Sequence, residues 1–249
     1  MAYSTRSYAR SYLSPAGLPP GIRALLIVNV AIFLLGYLPR SLHIEDFFSY
    51  FALVPAAVVK LLFIWQLATY MFLHSGIGHI LFNMLALWMF GAELEQTWGT
   101  RRFMRFYFFC GIGAGVCVVV LNYLFGNPNI PTVGSSGAIY GILLASAVLW
   151  PDRVILFSFL FPIKMKYFVA IIGGIAFLNS FTANTGVSNF AHLGGMAFAY
   201  LFIKMPKTKN FDPVGSLRGS YRSWKLARAK KKFQVYLRKQ RSDRGPWVN

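Results

Sequence analysis

The chain has 249 residues, of which 56% are hydrophobic and only 13% charged. Soluble globular proteins carry about 25% charged residues, which argues against that class, and disorder requires low hydrophobicity, which excludes a disordered polycation. Mean hydropathy of +0.52 with a formal net charge of +18 points to a polytopic membrane protein with basic ends; on composition alone the competing class is a nucleic-acid binder, given a pI of about 10.2.

In chain order, residues 1–20 are rich in Ser, Tyr, Pro and Arg and hold no acid. They are predicted to form a disordered head. Six apolar segments follow, at about 22–38, 77–96, 103–125, 135–150, 166–182 and 189–205. No small-residue cleavage site closes the first, so it reads as a spanning helix rather than a leader. The fourth and sixth are short for a hydrocarbon core of about 30 Å, which takes about 20 helical residues. A helix that starts below the membrane surface needs its end buried in protein or facing water, which hints at a cavity. Residues 39–76 are amphipathic, aromatic and broken by Pro55, and are expected to lie in the membrane interface as a loop with short helices. Cys110 and Cys117, seven residues apart in one apolar run, are too far apart on a straight helix to bridge, and read as small helix residues. The predicted organisation is a head over 1–20, a six-helix membrane domain over 21–205 and a basic tail over 206–249.

Basic residues give the topology. With the head on one side of six spans, 23 of the 25 Lys and Arg fall on that side, and only Arg40 and Lys60 on the other. The positive-inside rule then puts both termini in the cytoplasm.

Polar groups inside spans are costly and therefore informative. His79, Asn83, Ser136 and His192 stand out. Counted from the nearest charged boundary at 1.5 Å per residue, His79, Ser136 and His192 lie about 21, 24 and 18 Å above the cytoplasmic surface. Three polar side chains from three helices at one depth suggest one site near the outer face. Ser136 lies in Gly134-Ser135-Ser136-Gly137, where the fourth segment begins. It reads either as a helix N-cap or as a nucleophile whose flanking glycines admit a substrate, with free backbone N–H groups to hold an oxyanion. His192 is a structural histidine or the general base for that serine. Small residues at Gly137 and Gly141 in segment four, and at Gly195 and Ala199 in segment six, allow the close helix contact that would join the two. Tyr140, one turn beyond Ser136, packs beside the base or is a core aromatic. His79 and Asn83 share a helix face and either donate to an oxyanion or hold two helices together. No acid sits at this depth, so a Ser-His dyad is expected rather than a triad. His74-x4-His79 lacks the spacing of a zinc protease, and neither a metal nor another cofactor is expected.

Taken together, Trp65-Gln66, His74, His79-x3-Asn83, Gly91-x-Glu93-x-Glu95, Gly134-Ser135-Ser136-Gly137 with Tyr140, and Ala191-His192-x2-Gly195 resemble the rhomboid family of intramembrane serine proteases, over about residues 60–200. The resemblance implies an all-α bundle of six transmembrane helices, with 39–76 as a first loop lying sideways in the outer leaflet. It implies Ser136 as nucleophile, His192 as base, and His79 and Asn83 as oxyanion donors. Glu95 looks like the family's structural acid, hydrogen-bonding across helix ends. Where the family often has Trp-Arg, this chain has Trp65-Gln66. The six spans resemble the simplest bacterial form, so the bacterial plasma membrane is the expected location and the mitochondrial inner membrane the alternative.

The expected function is a serine endopeptidase cutting in or near transmembrane segments of membrane-protein substrates; the alternative is a catalytically silent rhomboid-like binding protein. A transporter would show midplane charges or paired repeats, and neither is present. The tail, with fourteen basic residues from Lys204 onward, is expected to bind anionic lipid through an amphipathic helix over 221–240 rather than nucleic acid.

Overall fold

The computed structural model describes residues 17–36, 50–157, 161–180, 186–205, 223–226 and 228–229. Each of the six apolar segments contains a helix. In chain order the elements are α1 (Pro20–Gly36), the short helices α2 (Pro55–Lys60) and α3 (Gln66–Thr69), α4 (Ile77–Trp98), α5 (Thr100–Phe125), α6 (Ser136–Leu149), a β-hairpin, α7 (Met165–Asn179) and α8 (Gly186–Lys204). Two of these, α4 and α5, are long and apolar enough to cross a membrane by themselves. At 14 residues, α6 spans only about 21 Å. The last helix starts at Gly186, a little earlier than the sequence suggests.

Large apolar side chains face outward, with Phe82 71% and Phe125 76% exposed. A water-facing surface of that kind is unfavourable, whereas lipid accepts it. The inner packing centres on α5, α6 and α8, which touch one another more extensively than any other helices. Small residues make this possible. Added Cβ atoms at Gly141 and Gly194 would lie 2.9 and 2.7 Å from the Cβ atoms of Cys110 and Cys117. Both cysteines are free thiols, and each sits against a glycine of a neighbouring helix.

Two features of the backbone have no counterpart in the sequence reading. A π-helical turn, Leu87–Gly91, interrupts α4 between His79 and Glu95. Between α6 and α7 the chain forms an antiparallel hairpin, β1 (Val154–Phe157) with β2 (Phe161–Lys164), in the register Val154 to Lys164 and Leu156 to Pro162.

The described part of the first loop is tied down by polar contacts. Gln66 is buried; its Oε1 accepts from Val54 N–H at 3.0 Å, and its Nε2 donates to the Tyr50 carbonyl at 3.0 Å. Gln66 therefore serves as a polar anchor for this loop. Leu53 and Thr132 exchange backbone hydrogen bonds of 3.0 and 2.8 Å, joining the loop to the segment before α6.

The head expected over 1–20 lies outside the described residues up to residue 16. The loop expected over 39–76 lies outside them up to residue 49. The chain divides into two units, Met1–Met205 and Pro206–Asn249. In the second, the amphipathic helix expected over 221–240 lies outside the described residues except 223–226 and 228–229, which are helical; there the Arg228 guanidinium lies 5.0 Å from the Trp224 ring centre.

Candidate active site

Ser136 is the first residue of α6, and Ser135 takes the N-cap position, without a side-chain capping bond. The capping reading of Ser136 therefore does not apply. Instead its Oγ lies 2.9 Å from Nε2 of His192 in the second turn of α8. What holds this pair is backbone contact between the two helices. A Cβ on Gly195 would run into the Gly137 carbonyl, and one on Gly137 would lie 3.2 Å from the Ala191 carbonyl. Only residues without side chains let α6 and α8 approach so closely. The Tyr140 ring stacks on the His192 imidazole, with centroids 4.0 Å apart and planes 2° from parallel. Stacking fixes the ring plane, so Nε2 keeps its aim at Ser136.

His79 and Asn83, one turn apart near the start of α4, reach the same place from the other side. Gly134 has φ of +117°, a conformation that disfavours any side chain. A Cβ there would lie 2.6 Å from His79 Nε2 and 3.7 Å from Asn83 Nδ2. His79 thus crowds the Gly134 backbone just before the nucleophile candidate, with Asn83 at ordinary contact distance. Asn83 is buried, and its Nδ2 has no hydrogen-bond partner within the protein. A buried amide without an acceptor is costly, so its retention favours an acceptor supplied from outside. The Ser136 N–H lies in the first turn of α6, where backbone donors lack intrahelical acceptors.

Two residues that the sequence did not single out support this arrangement. Tyr70 is buried; its hydroxyl donates to the Gly111 carbonyl at 2.7 Å, and its carbonyl accepts from Gly134 N–H at 2.9 Å. The first loop thereby positions the glycine before the serines. Ser75 lies beside His79, with its Oγ 3.0 Å from Nδ1. Neither had a sequence signal beyond being polar near an apolar run.

Glu95 is not part of this cluster. It is buried near the far end of α4, where Oε1 accepts from Gly21 N–H at 2.8 Å and the Thr100 hydroxyl at 2.6 Å, and Oε2 accepts from Ile22 N–H at 2.7 Å. It thus caps the free N–H groups at the start of α1. A cavity of about 700 Å³ also lies at this far end, walled by Trp88, Trp150 and the ion pair of Glu93 with Arg153. Among the described residues no group of three or more His, Cys, Asp or Glu is placed to hold a metal ion.

Comparison with known proteins agrees with the motifs. The family model described as the Rhomboid domain matches residues 62–206. The chain is 39% identical over 79 residues to the rhomboid protease GluP of Bacillus subtilis, a match covering 32% of this chain. It is 33% identical over 157 residues to RHOMBOID-like protein 1 of Arabidopsis thaliana, and 31% identical over 156 residues to the mitochondrial Rhomboid protein 1 of Saccharomyces cerevisiae, each covering 62% of this chain. These matches take in 14%, 37% and 43% of the relatives, so the chain spans less than half their length. With the family model covering more than half of the chain, this membrane protein belongs to the rhomboid family.

Proposed function

We propose that the chain is an intramembrane serine endopeptidase that hydrolyses peptide bonds in or near transmembrane segments of other membrane proteins. The observation that carries this reading is the 2.9 Å contact of Ser136 Oγ with His192 Nε2, made between two helices at the mouth of a short one. In the reaction, Oγ attacks the scissile carbonyl while His192 Nε2 takes its proton. The carbonyl oxygen becomes an oxyanion, and the Ser136 N–H, Asn83 Nδ2 and His79 Nε2 donate to it. Collapse breaks the C–N bond, and His192 passes the proton to the leaving amine. A water, deprotonated by His192, then hydrolyses the acyl-enzyme and frees Ser136. Tyr140 holds the imidazole plane throughout.

In this reading all six apolar helices span the membrane, as a domain over about 21–205 with both termini in the cytoplasm. Ser136 then lies toward the outer leaflet, where water and a locally unwound substrate reach it. The basic tail over 206–249 rests on anionic lipid. The bacterial plasma membrane is the proposed location; relatives with bacterial sources and relatives named mitochondrial both match the chain. A catalytically silent rhomboid-like binding protein would need no Ser-His pair, whereas both residues are present and in contact.

The test is cleavage of a single-span substrate in proteoliposomes by wild type and Ser136→Ala. The variant should fall to background, a loss of at least about 10³-fold, with its melting temperature unchanged. Cleavage by Ser136→Ala at the wild-type rate would overturn the reading.

A further inference from the structure

The hairpin between α6 and α7 is not used by the chemistry, yet its composition is unusual. Residues 154–163 hold one polar side chain, Ser158. The register puts Val154, Leu156, Pro162 and Lys164 on one face. That face is exposed, Val154 by 56% and Leu156 by 60%, whereas Ile155 on the other face packs against the helical core. At the start of β2, Phe161 is 65% exposed.

Two physical constraints bear on where such an element can lie. Each strand of a two-stranded sheet keeps an unpaired edge of N–H and C=O groups, which the hydrocarbon core does not tolerate. Conversely, an apolar face with open edges in bulk water is an aggregation site. The boundary between acyl chains and headgroups meets both demands, because it offers apolar contact to the face and water to the edges.

The surroundings match a lipid surface. Lys164 and Lys166 flank the end of the hairpin, with their Nζ atoms 3.2 and 2.8 Å from Asp152 Oδ1, leaving the three groups with a net positive charge. The chain then runs directly into α7, where Tyr167, Ile171, Ile175 and Leu178 form an exposed stripe at helical spacing. A tyrosine at the head of a lipid-facing stripe is the arrangement expected at a membrane interface.

We propose that the β1–β2 hairpin is an interfacial anchor, lying in the phospholipid headgroup layer at the cytoplasmic ends of α6 and α7. Val154, Leu156 and Pro162 face the acyl chains, and Lys164 and Lys166 meet lipid phosphates. The proposal rests on the membrane topology given above but not on catalysis. Fluorophosphonate labelling of Ser136 in the same samples reads catalytic competence separately.

The test uses the full chain in phospholipid nanodiscs. Environment-sensitive NBD is attached at Leu156→Cys in a Cys110→Ala, Cys117→Ala background, with Val154→Cys as the independent position should the first misfold. The expected result is blue-shifted emission, loss of quenching by aqueous iodide, and strongest quenching by lipids brominated near the headgroup. Iodide quenching equal to that of free NBD-cysteine would overturn the proposal. So would maximal quenching by lipids brominated at the chain ends, or protection from iodide without any lipid quenching, which would mean that protein covers the face. Lys164→Gln with Lys166→Gln should raise iodide quenching of the same label, and an unchanged value would remove the phosphate contact.

Discussion

The two ends of α4 both bury polar groups, but they finish them differently. Near its last turn, Glu95 has its carboxylate oxygens engaged by two backbone N–H groups and a hydroxyl, all from this chain. Near its first turns, Asn83 keeps a buried Nδ2 with no partner, beside a Ser-His pair and a positive-φ glycine. Desolvation is costly in both places, and more so for a carboxylate than for a neutral amide. Where the protein satisfies its own groups, the cluster holds helices together. Where it leaves a donor open beside the Ser-His contact, the proposed reaction would supply the acceptor as the substrate's oxyanion. The open donor counts here because it lies beside the Ser136–His192 contact, whereas the Glu95 carboxylate is fully engaged within the chain.

That contrast can be broken experimentally, and the largest effect belongs to the contact that assembles the open end. Gly195→Val forces α6 and α8 apart, because the new side chain meets the Gly137 backbone. It should cost about 3 kcal/mol or more and abolish cleavage, read by thermal melting and substrate turnover. An active, fully stable Gly195→Val would show that the close helix contact is not what pairs Ser136 with His192.

The next test is a matched pair with opposite signatures. Asn83→Ala should reduce kcat by about 10²–10³-fold and leave the melting temperature nearly unchanged, since it removes an unused donor. Glu95→Ala should do the reverse. It orphans the N–H groups of Gly21 and Ile22, costing about 2–5 kcal/mol of stability, while the protein that stays folded keeps its turnover per molecule. If Asn83→Ala melts early at full turnover, or Glu95→Ala slows turnover without a stability loss, the distinction between the two ends fails.

The smallest effect lies outside the helices. Lys166 and Lys164 beside Asp152 hold its carboxyl below the usual carboxylate range. A carboxyl lowered in the folded state contributes stability above its unfolded value and loses it as pH falls through the folded one. Acidification from neutrality to about pH 5 should therefore leave the hairpin's root intact, with loosening only below the ordinary carboxylate range. Hydrogen exchange across that interval, corrected for the pH dependence of the intrinsic rate, should show no loss of protection between Leu149 and Tyr167 until the lower limit. Because Asp152 is exposed, Asp152→Asn should change melting far less than Gly195→Val or Glu95→Ala.

Much of the candidate site was legible in the sequence because lipid makes polar residues conspicuous. Ser136 and His192 stood out as polar groups within apolar segments, and the glycines at 137 and 195 already named the contact that joins them. The first-loop anchors were not legible. Gln66 and Tyr70 act through backbone partners at residues 50, 54, 111 and 134, and no local pattern encodes such distant pairing. The hairpin escaped for another reason. Apart from Lys164 at its end, its strands are apolar on both faces, so the period-two alternation that marks a half-buried strand is missing. The role of Glu95 came only through the family resemblance, because an acid near a helix end is ordinarily read as solvated.

The most direct test of the central claim is covalent. Wild-type protein in nanodiscs is treated with a fluorophosphonate probe, digested, and mapped by mass spectrometry, alongside His192→Asn. The account predicts one adduct, on Ser136 Oγ, and its loss in His192→Asn, because without the base at 2.9 Å the hydroxyl is not activated. An unlabelled Ser136 in folded wild type, or equal labelling in His192→Asn, would contradict it.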